Sequence, residues 1–194
     1  MKVNWKPGTM IYPLPAVLVS CGNEELGTGI MTASWTGTVC TNPAMCYVSV
    51  RRERYSYELI RSTMQFTINL TTEEMARATD WCGVRSGRDH DKWQASGLTP
   101  LPGVAVECPS VEQSPISIEC RVKQILELGS HDMFIAEVVN VVVDDRYLDT
   151  ATGELRLDRA NLLAYSHGHY YGLGRHIGRF GWSVKKPKRK SKKV

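Results

Sequence analysis

Six segments, residues 16–21, 31–35, 45–50, 65–70, 116–126 and 133–143, are rich in apolar and β-branched side chains and are separated by turn residues. That spacing predicts an antiparallel barrel or sandwich, because helical stretches do not alternate with the strands as a βαβ fold requires. Residues 116–123 alternate strictly, with Ile116, Ile118, Cys120 and Val122 set against Ser117, Glu119, Arg121 and Lys123. A strand with one buried and one wet face reads this way. Gly129-Ser130-His131 then turns the chain into residues 133–143, which predicts a hairpin. Helical periodicity is scarcer. Ser56 is a candidate N-cap for a helix that places Tyr57, Ile60 and Met64 on one face, and Thr71 with Glu74 forms a candidate capping box for the next. Residues 89–96 and 158–164 are candidates for two more short helices. The expectation is one mainly β domain, a β-barrel with a few short helices, over residues 1–184, followed by a basic tail at 185–194.

Composition narrows the class. With 42% hydrophobic and 23% charged residues, the 194-residue chain is globular and long enough to bury a core without disulfides. It has no run of eighteen apolar residues and no signal-peptide pattern at its start, so a cytoplasmic location with no membrane partner is expected. The net charge of +4 misdescribes the body. Seven of the positive residues lie between Lys185 and Lys193, and without them the charge becomes −3. Such a tail reads as a solvated end, so any nucleic-acid contact is confined to it. The six cysteines, Cys21, Cys40, Cys46, Cys82, Cys108 and Cys120, form no C-x-x-C pair, which disfavours zinc ribbons and thioredoxin-like redox pairs. They read as free thiols of a reducing compartment, mostly filling core, although Cys82 stands close to Arg85 and Arg88. In that compartment the sequon Asn69-Leu70-Thr71 is a chance match.

The usual chemistry motifs fail. Gly172-Leu173-Gly174 with Gly178 is one residue too long for a dinucleotide fingerprint and has too little chain after it for a βαβ unit. His167, His169 and His176 lack clustered carboxylate or thiolate partners, so no metal site is expected. No G-x-S-x-G elbow or Walker sequence occurs. Two segments carry a better signal. The first runs through Thr32, Ala33, Ser34 and Trp35, then Ser49, Val50 and Arg51, and on to Arg54-Tyr55-Ser56. The second is Ser86-Gly87-Arg88-Asp89-His90-Asp91-Lys92. Hydroxyls, cations and apparent strand-to-helix junctions suit an anionic ligand, although ordinary polar loops share that composition.

Ordered motifs go further. Residues 30–40 (IMTASWTGTVC), 47–51 (YVSVR), 54–57 (RYSY), 66–70 (FTINL), 82–92 (CGVRSGRDHDK), 129–134 (GSHDMF), 165–168 (YSHG) and 180–186 (FGWSVKK) run in the order of a known family. Over roughly residues 10–186 the chain resembles the flavin reductase-like, FMN-binding split-barrel proteins, and within them the flavoredoxin branch. The resemblance implies a homodimer with non-covalent FMN near the subunit interface. It places Thr32 to Trp35 beside the isoalloxazine ring, with Ser49, Val50 and Arg51 along the ring and ribityl chain. Ser56 would take the phosphate, helped by Arg51, Arg88 or Lys92. Ser86 and Gly87 would give close backbone contacts, Asp91 falls in the same segment, and Tyr165 would cover the flavin from its own or the other subunit. The implied activity is electron transfer from NAD(P)H or a redox protein to flavin, a metal chelate or a protein acceptor. The alternative is a non-catalytic carrier or flavin-binding module. No catalytic side chain is needed, because the flavin carries the redox chemistry. The family often has Asn shortly before Ile-Met-Thr, where this chain has Thr28-Gly29-Ile30.

Overall fold

A computed structural model describes residues 1–185, so the expected basic tail lies outside the described residues apart from Lys185. The strands are β1 (Leu14–Pro15), β2 (Val17–Asn23), β3 (Gly27–Ala33), β4 (Thr36–Cys40), β5 (Met45–Val50), β6 (Gln65–Leu70), β7 (Pro100–Leu101), β8 (Ser110–Val111), β9 (Ile116–Leu128), β10 (His131–Val143), β11 (Leu163–Ser166) and β12 (His169–Gly172). The α-helices are α1 (Tyr55–Thr63), α2 (Ala76–Val84) and α3 (Lys92–Ser96). Seven strands form one antiparallel sheet in the order β3-β2-β6-β9-β10-β5-β4, which curls until β3 approaches β5. Only Ser34 and Trp35 join the two edge strands, β3 and β4. The result is a split barrel, mainly β with a few short helices: the alternating segments predict an antiparallel barrel or sandwich, and the resemblance implies the split barrel. Strands β1, β11 and β12 make a small second sheet, and β7 pairs with β8.

Period-two alternation fills the interior. On β5, Cys46, Val48 and Val50 are buried while Met45, Tyr47 and Ser49 are half-exposed. They meet Val17, Val19, Phe66, Ile68 and Phe134, and α1 adds Tyr57, Leu59 and Ile60. Each such side chain stabilises the fold by about 1.5–3 kcal/mol when fully buried. Outside the barrel, Leu18 and Ile30 pack with Met75 and Cys82 around α2. Strand β2 is therefore covered on both faces, which is why Val17 to Gly22 are buried without alternation.

The long hairpin β9–β10 forms as expected, around the two-residue turn Gly129–Ser130, with Gly129 at φ 61°. Several local expectations are overturned by tertiary contacts. Ser117 and Glu119, expected on a wet face, are buried because the loop after β7 lies over them. The Glu119 carboxylate accepts from Val104 N and Ala105 N at 2.7 Å and from Asn140 Nδ2 at 3.0 Å, and Ser117 Oγ donates to Asn69 Oδ1 at 2.7 Å. Ser56 does not cap α1. Arg54 holds the N-cap position with no side-chain hydrogen bond, and Ser56 is buried in the first turn. Thr71 does not cap either, since its hydroxyl donates to Ala16 O at 2.6 Å. Residues 158–164 are no helix: a 3-10 turn, Leu157–Arg159, is followed after three residues by β11, which pairs with β1 and β12. The helix expected at 89–96 shortens to α3, capped by Asp91.

Candidate functional site

Three cavities follow one another along the seam beside β3. The first, about 340 Å³, is lined by Thr32, Ala33, Ser34, Trp35, Ser49, Val50, Arg51 and Tyr165, together with Asp80, His131 and Tyr170. The second, about 330 Å³, shares Met31, Arg51, Arg54 and Val84 with it and adds Ser56, Arg85, Ser86, Gly87 and Lys92. The third, about 440 Å³, shares Tyr55, Gly87 and Lys92 with the second and extends to Thr28, Gly29, Arg88, Asp91 and Trp93. Residues distant in sequence thus line one groove, and every residue singled out from the sequence, from Thr32 to Tyr165, lies along it.

The first cavity exists because the ladder breaks there. The carbonyl of Trp35 accepts from Ser49 N at 2.9 Å, yet among the described residues the amides of Ser34 and Trp35 donate to no partner. Those two donors are available to a ligand. Helix α2 forms the opposite wall. Thr32 Oγ1 donates to Thr79 O, and a Cβ on Gly83 would lie 3.2 Å from Thr32 Cβ, so the helix rests closely on β3. The Trp35 ring tilts against His131 with centroids 4.5 Å apart. Burial and the nearby Arg51 hold the His131 imidazole below its ordinary pKa, so it is neutral at pH 7. Tyr170 Oη donates to Asp80 Oδ1 at 3.1 Å and packs edge-on against Tyr165. Burial and Asp80 push the Tyr170 phenol up to about 12, which keeps it protonated.

The second cavity is cationic. The N-terminus of α1 has no side-chain cap, so its first amides and the Ser56 hydroxyl are the local donors. Arg51, Arg54 and Arg85 stand around it. Arg54 Nη1 donates to Gly83 O at 3.0 Å, and Arg51 makes a long 3.4 Å contact with Glu53. Lys92 is buried and donates from Nζ to Cys82 O at 2.6 Å. Desolvation lowers its pKa, and nearby Cys82 partly offsets that. Gly87 allows a close approach, because a Cβ there would meet the Tyr55 ring at 2.7 Å. Arg88 and Asp91 are otherwise engaged. Arg88 pairs with Glu58 at 2.9 Å and donates to Glu53 O at 2.9 Å, while Asp91 accepts from Trp93 N at 3.0 Å and Gln94 N at 3.2 Å. Both side chains build the loop and face the third cavity.

Arg54, Arg85, Asp80, His131 and Tyr170 were not singled out from the sequence. Arg54 stands within the first polar segment, Arg85 just before the second, and His131 was read only as part of a turn. Asp80 and Tyr170 carry no local signal, since folding of β12 against α2 brings them in. Of the histidines weighed as ligands, His167 sits in the β11–β12 turn at φ 50° and His169 at the start of β12. Among the described residues no group of three or more His, Cys, Asp or Glu side chains is placed to hold a metal ion. An aromatic slot with two open amides, leading into a pocket of hydroxyls, arginines and a helix N-terminus, fits a planar heterocycle joined to a phosphate.

A model of the flavin reductase-like domain matches residues 9–174. Among solved structures, the flavoredoxin of Desulfovibrio vulgaris (Miyazaki F) superposes with a TM-score of 0.87 at 30% identity, covering 95% of this chain and 100% of that one. The flavoredoxin of Methanosarcina acetivorans superposes at 0.85 with 25% identity, covering 95% and 100%. An uncharacterized protein of Archaeoglobus fulgidus is 29% identical over 139 residues, 72% of this chain and 77% of that protein.

Proposed function

Since this chain belongs to the flavin reductase-like family, we propose that it is an FMN-binding oxidoreductase, passing electrons from NAD(P)H or a redox protein to flavin, a metal chelate or a protein acceptor. The observation that carries this reading is the polarity gradient of the groove, aromatic with open amides at one end and cationic at the other. The amides of Ser34 and Trp35 meet the polar edge of the ring, and Ser49, Val50 and Tyr165 wall the slot. Ser56, Arg51, Arg54 and Arg85 hold the phosphate, with Ser86 and Gly87 allowing the backbone to come close. When bound, FMN supplies hydride and electron chemistry. Amide donors fixed at a ring edge favour added electron density there without reorganising, as oxyanion-hole donors do. A neutral His131 and a protonated Tyr170 line the slot without adding charge.

The chain acts as a homodimer in this reading. Val3, Trp5, Ile11, Phe180 and Trp182 are each more than half exposed on segments flanking the barrel, surface that a second copy would cover. Six unpaired thiols fit a reducing compartment such as the cytoplasm, and no helix of the described residues is long and apolar enough to cross a membrane. The test is spectroscopic. The purified chain is given FMN, freed of excess, and titrated anaerobically with NADH and with NADPH. A yellow protein bleached by either nucleotide supports the reductase. Uptake without bleaching assigns the carrier role, and no uptake rejects the flavin reading.

A further inference from the structure

Behind the groove lies a second set of residues, each one position further along the chain than a groove residue. Arg51, Ser56 and His131 line the cavities, and their successors Arg52, Tyr57 and Asp132 meet one another on the other side. On β10 this follows from strand alternation, which turns His131 to the groove and Asp132 away from it. Asp132 is fully buried. Its carboxylate accepts from Arg52 Nε at 3.0 and 3.1 Å, from Arg52 Nη2 at 2.9 Å and from Tyr57 Oη at 2.7 Å. Tyr57 Oη in turn accepts from Arg61 Nη1 at 3.0 Å. One carboxylate thereby ties together the start of β10, the loop after β5 and the first turn of α1.

We propose that Asp132 is a positioning residue for the cofactor: it fixes Arg51, Ser56 and His131 at once by holding the residue next to each. The inference rests on the FMN reading of the groove. Asp132 itself touches no part of the groove. Its geometry is a fork-to-carboxylate pair, the arrangement that restricts orientation most, and the phenol occupies a further lone pair. Asp132 is buried while its partner Arg52 is half-exposed and also reaches Glu127 at 3.2 Å. Such a pair adds little net stability, so its worth lies in fixing one arrangement of the three segments. Preorganised sites depend on such outer partners, and at metal sites losing one commonly costs about 10–100-fold in affinity.

The test uses the full chain and reads FMN affinity from quenching of flavin fluorescence, with visible circular dichroism of the saturated protein. Asp132→Asn should raise the Kd about tenfold or more and alter the dichroism of bound flavin. In an Arg51→Ala background the same change should cost measurably less than in the wild-type chain, because the share of its effect that runs through Arg51 is already lost. Unchanged affinity and dichroism, or fully additive losses, overturn the proposal. If Asp132→Asn does not fold, Arg52→Lys keeps the charge but loses the fork that holds Asp132, and unchanged binding by that folded variant overturns the proposal equally. Failure of the wild-type chain to bind FMN removes the flavin reading itself, and this inference with it.

Discussion

Asp132 and Gly22 show how single residues set the tolerance of this fold. Burial alone would raise the Asp132 carboxyl, but the hydrogen bonds from Arg52 and Tyr57 outweigh it and hold it below its ordinary 3.8. A lowered folded pKa means stability that is complete above the unfolded value and is lost as pH falls through the folded one. The melting temperature should therefore drop below about pH 4, and Asp132→Asn should flatten that acid limb while starting from a lower plateau. A pH series of thermal melts reads both. Gly22, on β2 opposite Thr28, has φ +87°, and a Cβ there would lie 2.1 Å from Gly27 O. Gly22→Ala should destabilise by at least about 2 kcal/mol in denaturant titration, from left-handed strain and the clash together. Neither effect is visible locally in the sequence. Gly22 is one of 16 glycines, and Asp132 looks like any acid after a turn.

The loop between α2 and α3 separates two arginines that the sequence presents as equivalents. Arg85 faces the cationic cavity, whereas Arg88 is tied to Glu58 and Glu53. Arg85→Ala should weaken FMN binding about tenfold, and Arg88→Ala by less than about threefold, measured by fluorescence titration. The strands were legible because burial on one side imposes a period of two: β5 and β6 fall at the residues read from the pattern, and β9–β10 pair as expected. The helix starts were less so. Ser56 carries the right hydroxyl for a cap but lies in the first turn of α1, two residues past the N-cap, and Thr71 spends its hydroxyl on Ala16, between β1 and β2. The groove was half legible. Ser34, Trp35, Ser49 and Ser86 stand in polar segments that mark it, while Asp80 and Tyr170 reach it through a pairing 90 residues apart.

At the scale of the whole molecule, apolar side chains stand exposed on the segments before β1 and after β12. The first dozen residues extend along the surface with Trp5 at 76% and Ile11 at 84% exposure. Gly8, Met10 and Ile11 nonetheless wall an apolar hollow of about 390 Å³ with Trp35 and Tyr47, which links this arm to the rim of the groove. Deleting residues 1–12 should convert a dimer to a monomer in sedimentation velocity and weaken FMN retention, whereas a monomeric full-length chain would show the arm has no such role. The seam carries a further consequence. Where β3 and β4 part at Ser34 and Trp35, the sheet presents two open rims instead of one closed wall, and open rims are templates for strand addition by other chains. A molecule wedged between them would act as a stopper against fibrous self-association. Chain refolded without flavin should scatter more light on storage than chain refolded with FMN, and riboflavin, which lacks the phosphate anchor, should protect less well.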